Sequence, residues 1–189
     1  MSHFAKISVQ FKNKDTLANA LDKMGLKLTQ DFMCRYYYGR KQMPYGARLP
    51  SAEYDLGFEV AKDGSLEPVA DFWGGSVAAV IGSDGSILKV NYSVAAVEEF
   101  ASQNSYGVNH VSENKLQLYD PSDSSGAYLE ITISRDGNVK TEAVGFSGQS
   151  CDKFEGLEKA LGKMEQKEYT HAYYEQVPED QVLIQEDGE

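Results

Sequence analysis

Histidine and cysteine are scarce in this 189-residue chain, which has three histidines and two cysteines. Neither type recurs at a metal-binding spacing such as C-x-x-C or H-E-x-x-H, so the sequence predicts no bound metal and no cofactor. Cys34 and Cys151 could form at most one disulfide bridge. This usage of cysteine is typical of a reducing compartment, and we expect a cytoplasmic protein.

Basic residues are few, and long apolar runs are absent. Lys and Arg total 18 against 29 Asp and Glu, a formal net charge of −11 that repels phosphate backbones and makes nucleic-acid binding unlikely on charge alone. The apolar runs fall far short of the roughly 20 residues that cross a bilayer. The first residues also lack the pattern of a signal or transit peptide. The sequence therefore predicts no membrane segment.

Apolar periodicity predicts an α+β protein of two modules. Residues 1–120 should form an antiparallel sheet with two helices, and residues 53–73 should be its central hairpin, turning at Asp63 and Gly64. A second hairpin is expected at residues 77–92, and a loop at residues 39–50. The helices should begin after Asn13 and Ser93, which are residue types that cap helices well.

Residues 120–126 are rich in turn formers and predict a linker to a second module, residues 126–176. That module should be a ββα unit whose helix, capped by Ser150, buries Phe154, Leu157, Leu161 and Met164 and leaves Glu155, Glu158 and Lys159 in water. Such a small unit buries too little apolar surface to be stable alone, so the two modules should share an interface. Residues 177–189 are expected to be an acidic, disordered tail.

Residues 35–48 contain four cations and four tyrosines but no acid. This pattern favours a surface that binds an acidic protein or stacks the bases of a single-stranded nucleic acid. The alternative is that the tyrosines lie in the core and the cations pair with nearby carboxylates. The candidate partner-binding residues are Arg35, Tyr36, Tyr38, Arg40, Lys41, Tyr45 and Arg48.

Cys151 should lie in the first turn of the second module's helix, next to Gly148 and Ser150. Exposed amides there could lower its pKa or hold an anion, which gives a possible reactive thiol or anion site. The alternative is a small apolar side chain that closes the turn. Cys34 is expected in the core. Asp55 and Asp71 could face each other as a general acid and base, but solvated carboxylates are the alternative we favour.

Several motifs carry a resemblance to known families. The N-terminal part resembles the plastid and cyanobacterial family called hypothetical chloroplast open reading frame thirty-five, through MSHF at residues 1–4, YDLGF at 54–58, VAD at 69–71 with Trp73, and the helix leading to Tyr106. The rest resembles a short family of unknown function, through EITI at 130–133, DGNV at 136–139, GFSGQSC at 145–151, LG at 161–162 and YYE at 173–175. The chain thus resembles a fusion of the two.

The resemblance implies shared work in one complex, with an AAA-type ATPase or a ferredoxin as a possible associate, and it adds the plastid stroma as a possible location. It implies no reaction. We therefore expect a non-enzymatic interaction or accessory protein. The alternatives are a redox or thiol enzyme centred on Cys151 and a single-stranded nucleic-acid binder that uses residues 35–48.

Overall fold

The computed structural model describes residues 3–146, 152–169 and 174, and within them runs of consecutive strands are separated by helices. The strands are β1 (His3–Val9), β2 (Thr29–Tyr36), β3 (Gly39–Ala47), β4 (Leu56–Val60), β5 (Leu66–Ala70), β6 (Gly107–Ser112), β7 (Lys115–Tyr119), β8 (Tyr128–Ile133), β9 (Val139–Val144) and β10 (Gly162–Tyr169). The helices are α1 (Lys14–Lys23), α2 (Ser76–Ile81), α3 (Ser86–Asn104) and α4 (Glu155–Leu161). The predicted α+β class is confirmed.

The strands form two antiparallel sheets. One has the order β10-β1-β9-β8-β7-β6 and the other the order β2-β3-β4-β5. The predicted hairpin of residues 53–73 is present as β4 and β5, and Asp63 Oδ1 accepts a hydrogen bond from Ser65 N (3.0 Å) in its turn. It is not the central hairpin, because β5 is an edge strand of the smaller sheet.

Helix α1 begins where the sequence predicts. Asn13 Oδ1 accepts hydrogen bonds from the amides of Asp15 (2.8 Å) and Thr16 (3.2 Å), which satisfies two donors that the first turn leaves unpaired. Leu17 and Leu21, one turn apart, are fully buried on the face that meets the core.

The hairpin expected at residues 77–92 is wrong, because this stretch forms α2 and the start of α3. Its buried side chains, Val77 with Ile81 and Leu88 with Tyr92, are spaced four apart, which is the helical period rather than the period of two of a strand. Glycines with positive φ between the two helices separate them. Ser93, the expected cap, lies inside α3.

The loop expected at residues 39–50 is also wrong, since β3 extends from Gly39 to Ala47. The strand tolerates Pro44 because β4 pairs only with Tyr45–Ala47, and earlier residues of β3 are bordered by β2 alone. A proline is accepted where the strand has no partner on one side.

The larger sheet contains strands from both of the predicted modules. β7 pairs with β8 across residues 120–126, and β1 lies between β9 and β10. The expected linker is therefore a turn between neighbouring strands of one sheet, in which Asp123 N donates to Asp120 O (3.0 Å). Met164 lies in β10 rather than on the predicted helix. The module boundaries as folding units stay a prediction.

Helix α3 packs against both hydrophobic cores. Its Leu88, Tyr92 and Ala95 join the core beneath the smaller sheet, where α1 also packs. Its Val97 and Ala101 join the core between the larger sheet and α4. The two cores are therefore joined through one helix.

Candidate functional site

A group of aromatic rings lies on the surface where the β2–β3 turn meets the end of β5. We call Tyr37, Tyr38, Tyr54 and Trp73 the exposed aromatic cluster. The ring centroid of Tyr37 is 4.7 Å from that of Tyr38, 5.0 Å from that of Trp73 and 6.5 Å from that of Tyr54. The exposed fraction is 97% for Tyr38, 64% for Trp73 and 50% for Tyr37. The Tyr37 ring thus contacts the other three, and the rings of Tyr37, Tyr38 and Trp73 still present much of their area to water.

Asp71 holds the two segments of the cluster together. Its Oδ2 accepts a hydrogen bond from Tyr37 N (3.0 Å), and its Oδ1 accepts one from Trp73 N (3.0 Å). Because one carboxylate binds amides from both segments, the turn after β2 and the residues after β5 are fixed relative to each other. Tyr37 and Trp73 were not among the predicted site residues, since nothing local in the sequence brings them together.

Asp55 follows Tyr54 in the chain and is fully buried. It accepts hydrogen bonds from the backbone N and the Nε of Arg35 (3.0 Å each), from Arg35 Nη2 (2.8 Å) and from Arg48 Nη1 (2.7 Å). Leu49 N donates a further hydrogen bond (3.3 Å). We call Arg35, Arg48 and Asp55 the Asp55 cluster. It ties residues 48–55 to β2.

The ionisation of Asp55 follows from these contacts. Burial alone would raise the pKa of Asp55, but the hydrogen bonds from the side chain and backbone of Arg35 and from Leu49 outweigh it and lower the pKa. The group is therefore a carboxylate at neutral pH. Asp55 and Asp71 accept hydrogen bonds from different donors, so they do not form the acid–base pair considered from the sequence. Asp55 is also not a solvated carboxylate, because it is fully buried.

The Asp55 cluster also accounts for two of the four cations in residues 35–48. A third, Lys41, lies 2.7 Å from Glu59 Oε1. Arg40 is exposed and, within the part of the chain that the structure describes, has no ion pair. The basic character of this segment is thus largely neutralised by carboxylates of the same module, as the alternative interpretation of the sequence proposed.

The candidate tyrosines do not share one surface. Tyr36 is half-buried, and burial, followed by its hydrogen bond with Cys34, raises the pKa of its hydroxyl. Tyr45 packs partly against the core beneath the smaller sheet. Only Tyr38 belongs to the exposed aromatic cluster. Cys34 is fully buried, which confirms its predicted place in the core, and burial raises the pKa of its thiol.

The second module contains a buried ion pair that the sequence did not predict. Glu158 was expected in water, but it is fully buried on α4. Its Oε1 accepts a hydrogen bond from Thr141 Oγ1 (2.9 Å), and its Oε2 lies 3.2 Å from Lys167 Nζ. Lys167 also lies 3.1 Å from Glu155 Oε1. Burial alone would lower the pKa of Lys167, but the two glutamates outweigh it and raise the pKa.

Gly148, Ser150 and Cys151 lie outside the described residues, so the reactive thiol or anion site stays a prediction. Among the residues that are described, no group of three or more His, Cys, Asp or Glu side chains could hold a metal ion. In the same residues no helix is both long and apolar enough to cross a membrane.

A family model described as a protein of unknown function (DUF2997) matches residues 129–174. The match covers β9, α4, β10 and all of β8 except its first residue, and it agrees with the resemblance of this part to a short family of unknown function. No curated protein and no solved structure matches the chain. The resemblance of the N-terminal part to the chloroplast family, and hence the fusion, stays a prediction.

Proposed function

We propose that this chain is a non-enzymatic interaction protein that binds a protein partner through the exposed aromatic cluster. The observation that supports it is that the large rings of Tyr38 and Trp73 are exposed to water. The segments that carry them are fixed by hydrogen bonds from the backbone to Asp71. Tyrosine and tryptophan dominate the binding energy of many interfaces. A fixed cluster also loses little conformational freedom on binding.

The charges around the cluster favour a protein partner over a nucleic acid. Arg35, Lys41 and Arg48 each pair with a carboxylate, which leaves Arg40 as the cation of residues 35–48 without an ion pair in the described structure. Single-strand binders combine stacking rings with a continuous basic groove. Here the rings are present, but carboxylates neutralise most of the positive charge near them. Burial of the rings in an apolar pocket of a protein partner therefore agrees better with the structure.

The identity of the partner belongs to the same proposal. The N-terminal part resembles the chloroplast open reading frame family, and the C-terminal part resembles a second family. A fusion of the two implies a complex with an AAA-type ATPase or a ferredoxin. An ATPase is the partner we expect to recover.

The test is affinity capture from an extract of the source cells with three tagged chains. The wild type and a Tyr174→Ala control should retain one stoichiometric protein, and the Tyr38→Ala/Trp73→Ala double variant should lose it. Tyr174 is a suitable control because it is 70% exposed and does not belong to the cluster. Thermal denaturation should show that all three chains are folded.

Three results would contradict the proposal. Equal recovery by the double variant would mean that the partner binds elsewhere. Salt-sensitive recovery of nucleic acid would favour the binder of single strands. An enzymatic activity that Cys151→Ser abolishes would favour the thiol enzyme.

A further inference from the structure

The segment that the family model matches does not contain a complete sheet. β9 and β10 both belong to it, but they do not pair with each other, and β1 lies between them. β1 is antiparallel to both neighbours, with register pairs that extend from His3↔Tyr169 to Val9↔Gly162 on β10 and from Phe4↔Glu142 to Ile7↔Val139 on β9. The matched segment thus forms a slot one strand wide, which residues from the other end of the chain fill.

The slot is lined by polar groups that belong to the matched segment itself. Ala5 pairs with Thr141 on β9 and with Lys167 on β10, and these residues and Glu158 bind one another through their side chains. Directly opposite residues of antiparallel strands share a face of the sheet. Ala5 is fully buried there and contributes only a methyl group. The slot therefore requires a small residue at this position.

The chain just after β1 makes a second set of contacts with the same segment. Gln10 N donates to Leu161 O (3.1 Å), and Lys12 Nζ donates to the carbonyl oxygens of Lys159 (3.0 Å) and Gly162 (2.9 Å). The last carbonyls of a helix have no partners within the helix, and a lysine is well suited to them. Residues 3–12 thus combine a strand, a small buried residue and a lysine that caps α4.

We propose that the slot between β9 and β10 is a strand-binding site, and that it accepts residues 3–12 of a second copy of this chain as well as its own. The occupant is an extended segment with alanine opposite Thr141 and lysine seven positions later. Exchange between two copies re-forms every contact described above, with Asn13 at the start of α1 as the hinge. Exchange of identical elements is a low-cost route to a dimer because it needs no new interface. This site is separate from the exposed aromatic cluster.

Two full-length variants separate the donor from the acceptor. Ala5→Arg should prevent β1 from entering a slot, because the buried position accepts only a small side chain, and it leaves the slot of the same chain unchanged. Gly162→Val spoils the slot and leaves the strand intact, because a Cβ at Gly162 would lie 2.0 Å from the carbonyl oxygen of Ser8. Lys6→Arg is the matched control for the donor, since it places the same side chain at the neighbouring exposed position.

Mixing the two variants should give a heterodimer of twice the monomer mass by native mass spectrometry, because the Gly162→Val chain can donate β1 to the Ala5→Arg chain. Each variant alone should stay monomeric, and Lys6→Arg mixed with Gly162→Val should give no more heterodimer than the wild type mixed with it. Folded variants that do not associate on mixing would overturn the proposal. So would equal association of the Lys6→Arg control and Ala5→Arg.

A labelled peptide of residues 2–13 keeps the test decisive if Ala5→Arg does not fold alone. The peptide should bind that chain, or restore its fold when the two are refolded together. A peptide that carries Ala5→Arg should bind about tenfold more weakly or worse, a loss of about 1.4 kcal/mol. Failure of the wild-type peptide to bind or to restore the fold, or equal binding of the two peptides, would overturn the strand-binding site.

Discussion

Replacing Asp55 by alanine should destabilise the protein strongly, although Asp55 lies in a loop segment before β4. The change removes one carboxylate that accepts five hydrogen bonds and leaves two guanidinium groups without their partner. Breaking a buried ion pair by removing one partner typically costs about 3–5 kcal/mol.

The structure places the expected cost at the lower end of that range. The side chains of Arg35 and Arg48 are 34% and 49% exposed, so water can partly solvate them once Asp55 is gone. We therefore expect a loss of about 3 kcal/mol. For a chain of this length each kcal/mol lowers the melting temperature by about 2–4 °C, so the shift should be about 6–12 °C.

The matched control is Glu59→Ala, which removes another carboxylate that pairs with a cation of residues 35–48. Glu59 and Lys41 are both about half exposed, and exposed ion pairs contribute about 0–1 kcal/mol. Thermal and urea denaturation of both variants measures the difference. Similar losses from Asp55→Ala and Glu59→Ala would refute the view that burial gives the Asp55 cluster its importance.

The same cluster predicts how stability depends on pH. The pKa of Asp55 is lower in the folded protein than in the unfolded chain, so the folded state is the poorer proton acceptor. Its stabilising effect is complete above the unfolded pKa of about 3.9 and is lost as the pH falls through the folded pKa. Asp55→Ala should therefore show a smaller loss of unfolding free energy than the wild type on titration from pH 5 to lower pH.

Two further predictions concern the second module and the cysteines. Leu157→Ala should lower the free energy of unfolding by about 2–5 kcal/mol because Leu157 is fully buried on α4, whereas Lys159→Ala should change it by less than about 0.5 kcal/mol; equal melting temperatures would contradict the assigned faces of α4. In a Cys151→Ser chain, Cys34 should react with a thiol reagent only upon unfolding, because it is fully buried; rapid labelling of the native protein would contradict this.

Local signals predicted the elements that depend on a few neighbouring residues. The cap at Asn13, the turn at Asp63 and the hairpin of β8 and β9 each follow from residues close in sequence. The turn between β8 and β9, for example, is closed by Gly137 N donating to Ser134 O (2.9 Å) and Ser134 N donating to Asn138 O (2.8 Å). Such features need no information from distant parts of the chain.

The errors arose where glycine-rich or distant residues decide the structure. Glycines around residues 76–92 suggested turns between strands, whereas here they separate helices. Glu158 was expected in water because it lies outside the apolar stripe of the predicted helix. Its burial depends on Lys167, which lies on β10, a strand that the sequence did not predict. The meeting of Tyr37 with Trp73 depends on the pairing of whole strands, so the centre of the candidate site could not be read from residues 35–48 alone.

The position of β1 has a consequence for the order of folding. Its partners β9 and β10 lie at the other end of the described chain, so β1 is synthesised long before the two strands with which it pairs. Pairings so distant in sequence slow folding, because a long loop must close before they form. We therefore expect β1 to stay unpaired during synthesis until β9 and β10 have been made. The strands of the smaller sheet follow one another closely in the chain, so that sheet can form earlier.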